Sequence, residues 1–194
     1  LQALQDSLVT AFADERFTTP MTKSEISRMV AGDEIEVPLY DSLGVNVGSQ
    51  KKRNEVNLDS FYRFHIKEEV IFDKESSRLF WRILGIAPVK NIVTSSGVDL
   101  GASELFWVYY PDLRPILSKY EVYNGKNFSG RMSWEELFEN RMFSARIIKT
   151  SMDNPKDLLI KNYPGLNENA LLQLFEGENV KDRIQNYEQD MWSY

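Results

Sequence analysis

Glu104-Leu105-Phe106-Trp107-Val108-Tyr109-Tyr110-Pro111-Asp112-Leu113-Arg114-Pro115-Ile116-Leu117 is the stretch on which the fold turns. Its first half is a run of apolar, aromatic and β-branched residues, the pattern of a strand buried on both faces. Its second half changes period. Pro111 suits the first helical position, where a missing N–H costs nothing, and Asp112 places negative charge near the helix N-terminus. Leu113, Ile116 and Leu117 continue the apolar face at helical spacing. Pro115 then limits this helix to a short one or a 3₁₀ turn. Phe106 and Trp107 are expected in the core, and the corner carries no chemistry of its own.

Upstream lies the clearest hairpin pattern. Tyr62, Phe64, Ile66, Val70 and Phe72 alternate with Arg63, His65, Lys67 and Glu69, as in a half-solvated antiparallel strand. Residues 73–77 turn the chain, and Leu79 to Ala87 returns with both faces apolar until Pro88, where the strand is expected to end. A loop from Lys90 to Ser103, carrying Gly97 and Gly101, leads back into the corner. Three consecutive strands without a helical crossover predict an antiparallel meander, and with the helices an α+β fold.

The flanks are read from their start and stop signals. Leu1 to Gln5 reads as a last turn of helix and Asp6-Ser7 as a turn. Leu8 to Phe12 is a strand candidate, with continuation of the helix as the alternative. Thr22-Lys23-Ser24-Glu25 fits a capping box launching a helix with Ile26, Met29 and Val30 inward and Gly32 as its stop. Glu34 to Val37 alternates like a strand that Pro38 confines to an edge, and residues 41–57 read as a long loop. Ser133-Trp134-Glu135-Glu136 is a second capping box, followed by Leu137, Phe138 and Met142 on an apolar face. Ala145 to Thr150 is either a further strand or the tail of this helix. Val180, Ile184, Tyr187 and Met191 form an a/d-type seam on a terminal helix, 178–193, with Gly177 as its upstream limit. The chain is expected to be one α+β domain over 1–194. Its start at Leu1, with Leu4 and Leu8 at helix-face spacing, suggests a fragment of a longer secreted precursor whose targeting signal lies upstream.

Composition narrows the function classes. The 194 residues are 42% hydrophobic and 12% aromatic, too apolar for a disordered chain. The net charge of −6 disfavours a phosphate-bearing partner, and the lack of cysteine removes disulfides, thiolate metal sites and a cysteine nucleophile. No apolar run is long enough to span a bilayer. The single histidine, His65, has no metal-ligand partner nearby in sequence and reads as a sheet-surface residue. Glu68-Glu69 and Glu135-Glu136 are neighbours whose side chains diverge, so neither pair can act on one substrate atom. Gly97-Val98-Asp99-Leu100-Gly101 lacks phosphate-loop spacing, and Lys51-Lys52-Arg53 reads as a solvated cluster. No catalytic, cofactor-binding or metal-ligating residue is singled out. The aromatic residues remain. Tyr109, Tyr110, Trp134 and Trp192 stand at element ends, where large amphipathic side chains either close the core with their polar atoms satisfied locally or anchor protein contacts.

Longer words carry a resemblance. Leu105 to Pro115 is similar to the signature of the GldN/PorN family, the gliding-motility and type IX secretion ring proteins of the Bacteroidetes. Lys67 to Asp73 with the return strand through Gly85-Ile86-Ala87-Pro88 follows the family order. So do Met132 to Phe143 with Ile147-Ile148-Lys149, and the terminal helix closing on Met191-Trp192. The resemblance runs from the Thr10 region to the end. It implies a periplasmic, non-enzymatic component associated with the outer membrane, without a cofactor. Its implied partners are an outer-membrane lipoprotein (GldK/PorK), with which it forms a ring, and the periplasmic part of the inner-membrane motor protein (GldM/PorM). Tyr109, Tyr110, Arg114, Trp134 and Trp192 are then expected at a partner interface. A carboxylate-dependent hydrolase or a ligand-binding module of the cell envelope is the alternative reading.

Overall fold

The computed structural model describes residues 2–31, 34–40, 46–53, 61–76, 78–93, 99–124, 130–167 and 169–192. For residues 31, 34–40, 46–53, 92, 93, 99, 100, 188 and 190–192 it describes the backbone alone. The chain divides into two compact units, Leu1–Glu69 with Arg82–Glu135, and Val70–Trp81 with Glu136–Tyr194. The expected helix stop at Gly32 lies outside the described residues, as does the Gly97-Val98 part of the glycine pair.

The first unit is organised on an antiparallel sheet. Its strands are β1 (Ala11–Phe12), β4 (Arg63–Asp73), β5 (Arg78–Val93), β6 (Asp99–Glu104) and β7 (Trp107–Tyr109). Their order is β1-β7-β5-β4, with β6 also paired to β5, and the parts of β4 after Glu69 and of β5 before Arg82 belong to the second unit. β2 (Glu34–Tyr40) and β3 (Asn46–Arg53) form a separate antiparallel ribbon. β3 corrects the expected long loop over residues 41–57. Its register sets Glu34 opposite Arg53 and Glu36 opposite Lys51, so the basic cluster lies across from acidic positions. Pro38 sits in β2, which as half of a two-stranded ribbon is an edge strand.

The opening corner explains an irregularity of the sheet. β7 pairs Val108 with Ile86, and β6 pairs Glu104 with Val89. From 86 to 89 is three steps on β5, while from 108 back to 104 is four, so the returning strand carries one extra residue. That is a β-bulge at Leu105-Phe106. It also overturns the expected strand end at Pro88. β5 runs on to Val93 because the proline stands opposite the bulge, where no ladder N–H is required, and its carbonyl accepts the Leu105 N–H at 3.0 Å. Residues 90–93 and 99–103, expected as loop, therefore belong to β5 and β6.

Beyond the bulge, β7 passes directly into α3 (Tyr110–Leu117), with Pro111 in its first turn and Pro115 inside this short helix. Phe106 and Trp107 are buried as expected. Phe106 and Val108 join Leu4, Val9, Ala11, Ile26 and Val30 in one core, against which Leu113 and Ile116 of α3 also pack. Leu4 comes from α1 (Gln2–Gln5), and Ile26 and Val30 from α2 (Lys23–Ala31). Met29, expected on that inward stripe, faces out. The capping box is formed: Thr22 N–H donates to Glu25 Oε2 at 2.8 Å and Glu25 N–H to Thr22 Oγ1 at 3.4 Å. The apolar face expected of β4 is largely uncovered, with Tyr62, Phe64 and Val70 exposed.

α4 (Trp134–Glu139) follows the short ribbon of β8 (Glu121–Val122) and β9 (Met132–Ser133). It ends where Arg141 turns left-handed, with φ of 52°. Arg141 N–H then donates to Phe138 O and Met142 N–H to Leu137 O, a Schellman ending. Residues 144–150 are accordingly neither strand nor helix tail.

In the second unit α5 runs Ala170–Trp192, so Gly177 lies inside the helix rather than at its limit. The cap is Asn169, whose Oδ1 accepts the N–H groups of Leu171 and Leu172. A Cβ on Gly177 would stand 3.0 Å from Ile147 O, so the glycine lets the helix lie directly on that backbone. Val180 and Ile184 of the expected seam are buried with Ile160, while Tyr187 is exposed and the Met191 side chain lies outside the described residues.

Candidate functional site

Three constellations in the first unit bring polar and aromatic side chains together. One is a clip over residues 13–20. Asp14 accepts four kinds of hydrogen bond on its carboxylate, from the N–H groups of Arg16, Thr18 and Thr19 and from the Thr18 hydroxyl. Partial desolvation pushes this carboxyl up, but the hydrogen bonds from Thr19, Thr18 and Arg16 outweigh it and hold it down at about 2. The clip closes with Ala13 N–H on Thr19 O at 2.9 Å and Met21 N–H on Ala11 O at 2.8 Å. At its tip Phe17 adopts φ of 58°, a costly conformation for an aromatic residue, which the surrounding bonds over-determine. The ring lies edge-on to Phe12 and Tyr109, at 5.6 and 5.3 Å, over Gly85, where any Cβ would collide with it. Lys67 reaches across to donate to Glu15 O at 2.8 Å, its ammonium 5.7 Å from the Phe17 ring centre. An aspartate followed by threonines four and five residues on is the sequence signal of such a clip.

A second constellation joins His65, Glu104 and Trp107. His65 Nδ1 is 2.7 Å from Glu104 Oε1, and Trp107 Nε1 donates to Glu104 Oε2 at 3.0 Å. Positions 104 and 107 would lie on opposite faces of a regular strand. The bulge between them turns both to one face, which is how the tryptophan reaches the carboxylate. An ionised carboxylate only accepts, so Nδ1 is the donor and Nε2 is directed elsewhere. This arrangement orients the imidazole on the sheet surface, as the sequence led one to expect. Among the described residues no group of three or more histidine, aspartate or glutamate side chains is placed to hold a metal ion.

The third is an aromatic surface around α3, the β8–β9 ribbon and α4. Tyr120, Tyr123 and Trp134 are exposed there. Trp134 N–H donates to Tyr120 O at 3.0 Å, which extends the ribbon by one pair and sets the two residues across from each other. Arg114 Nε donates to Glu135 Oε1 at 2.5 Å, tying α3 to α4, and Arg131 pairs with Glu121 at 3.3 Å. Of the residues expected at an interface, Arg114 and Trp134 therefore meet on this surface. Tyr109 is half-buried against Phe17. Tyr110, expected near the surface, is only 3% exposed. The Trp192 side chain lies outside the described residues. Tyr120 and Tyr123, which the sequence does not single out, stand at the two ends of β8.

Comparison with known proteins bears on what such a surface is for. The family described as gliding motility associated protein GldN matches residues 1–193. The chain belongs to the GldN family. No curated protein matches it. In this GldN-family chain no helix among the described residues is long and apolar enough to cross a membrane. The family places the chain among components of gliding motility, and the exposed features of its first unit are aromatic and ion-paired side chains on short elements.

Proposed function

We propose that this chain is a non-enzymatic, periplasmic structural component of the gliding-motility and type IX secretion machinery. It acts by protein–protein recognition. It forms a ring with an outer-membrane lipoprotein of the GldK/PorK kind and contacts the periplasmic part of an inner-membrane motor protein of the GldM/PorM kind. The match to the GldN family over residues 1–193 is the observation that carries this reading. The exposed Tyr120 and Trp134, set across from each other beside the Arg114–Glu135 ion pair, support it, since aromatic anchors next to polar groups are the usual composition of a contact surface. Assembly into a ring calls for heterologous contacts that close by rotation.

Co-expression with the lipoprotein tests the reading. A large assembly containing both chains is expected, and replacing Trp134 and Tyr120 together by alanine should dissolve it while the melting temperature holds. Recovery of free monomer alone, with the lipoprotein folded, would refute it.

A further inference from the structure

The first two turns of α5 carry Leu171, Leu172, Leu174 and Phe175, with Gln173 and Glu176 as their polar residues. On the side turned to the second unit's core, Gly177, Val180 and Ile184 are buried. On the other, Leu171, Leu174 and Phe175 fall at i, i+3 and i+4, and they are 59%, 43% and 57% exposed, with Leu172 beside them at 42%. Contiguous exposed apolar side chains such as these mark contact surfaces. The same stripe continues at helical spacing as Glu178 and Asp182. Glu178 has a loose exposed pairing with Lys181 at 3.6 Å, and among the described residues Asp182 has no ion pair. Arg183 is turned away, to Glu176 at 3.0 Å and Asp153 at 3.4 Å. Read along the helix, the open face is apolar and then acidic.

We propose that this stripe docks an amphipathic helix of a different protein, one whose apolar face is followed by lysine or arginine side chains. Charge complementarity selects that occupant. A basic end would meet Glu178 and Asp182, whereas an anionic lipid surface would be repelled by them. A second copy in parallel would set carboxylate on carboxylate. An antiparallel copy would cover four half-exposed side chains per chain, about half of the ~800 Å² that each partner of a standard interface contributes. A longer foreign helix adds a charged rim to the same apolar centre. The inference rests on the reading that the chain works by protein contact, and it adds a surface on the second unit with a stated partner chemistry.

Photo-crosslinking in living cells tests it, with p-benzoylphenylalanine placed at Phe175 of the full chain and the adduct peptide read by mass spectrometry. The expected adduct lies on another protein, in a segment with apolar residues at i, i+3 or i+4 and a basic residue within the next two turns. Asp182→Lys should lower the adduct yield about fivefold or more. Leu174→Asp should abolish it, and both variants should keep the parent melting temperature. An adduct on a second copy, on lipid or on a neutral or acidic segment would overturn the proposal. So would a yield no higher than from the same probe at exposed Lys161. The two readings fail separately. Loss of gliding on deletion of the chain, with no adduct at Phe175, removes the docking inference alone. A correct adduct in cells that glide normally without the chain removes the gliding reading and leaves the docking surface.

Discussion

Around Val108 most of the buried side chains come from regular elements, α1, α2, β1 and β7, with Val9 and Phe106 between elements and Leu113 and Ile116 of α3 packed against them. Around Val180 they come from one helix and a long irregular segment, with Ile147, Met152, Tyr163 and Leu166 packed against Ile160, Val180 and Ile184. The first core is held by periodicity, since each element turns an apolar face inward at its own repeat. The second is held by side chains that satisfy the backbone of an irregular segment. Asn154 Nδ2 donates to Thr150 O and to Leu158 O, both at 2.8 Å, and its Oδ1 accepts the Leu158 N–H at 3.0 Å. Lys149 closes the same segment by donating to Asp157 at 2.8 Å. A core made this way depends on a few polar residues as much as on its apolar ones.

Substitutions in the two cores should sharpen the contrast. The largest effect is expected from Phe106→Ala, which removes a buried ring at the bulge. It should lower stability by about 3–5 kcal/mol in urea denaturation, and a loss below about 1 kcal/mol would mean that the corner does not organise the first core. Asn154→Ala follows. It leaves part-buried carbonyls and an N–H without their partner and should cost about 2–3 kcal/mol, though it deletes almost no apolar surface. A near-neutral result would show that the segment is held by its apolar contacts alone. Gly177→Ala should cost about 1 kcal/mol, because contact with the Ile147 carbonyl outweighs a helix-propensity gain of similar size. Stabilisation would show that the Ile147 backbone gives way.

The smallest effect is expected from acid on the clip. The Asp14 carboxyl is depressed to about 2 in the folded chain from an ordinary value of 3.8. Its contribution is therefore present above about pH 4 and is lost as the pH falls through 2. The Phe17 ring resonances, followed by NMR, should keep their folded positions to about pH 3 and shift below it. In Asp14→Ala they should be displaced already at neutral pH. Unchanged shifts in that variant would assign the clip to backbone bonds alone.

The same contrast explains what was legible in the sequence. The capping box at Thr22 and Glu25, the proline-started α3 and the burial of Phe106 and Trp107 follow from local rules that tertiary structure obeyed. Pro88 misled because a proline inside a paired strand is acceptable only opposite a bulge, and the bulge arises from a register that one strand does not display. β3 was hidden by Gly48 and by the run Lys51-Lys52-Arg53, whose facing positions in the register, Glu34 and Glu36, lie elsewhere in the sequence. Gly177 was taken as a stop because it breaks helical propensity. Its role is a close approach to Ile147, thirty residues away in sequence. Of the residues proposed for contact, Arg114 and Trp134 stand out in the sequence by their places at element ends. Tyr120 and Tyr123 were missed because nothing in residues 123–131 signals the β8–β9 ribbon, and Asp14 was missed because its partners form a loop rather than a repeat.

Hydrogen exchange of the chain, free and in complex with the lipoprotein, tests most directly that this chain works through its surface aromatics. Protection on binding should concentrate in residues 114–123 and 131–135, around Arg114, Tyr120, Tyr123 and Trp134. Unchanged exchange across those residues in a complex that does form, with protection confined elsewhere, would contradict it.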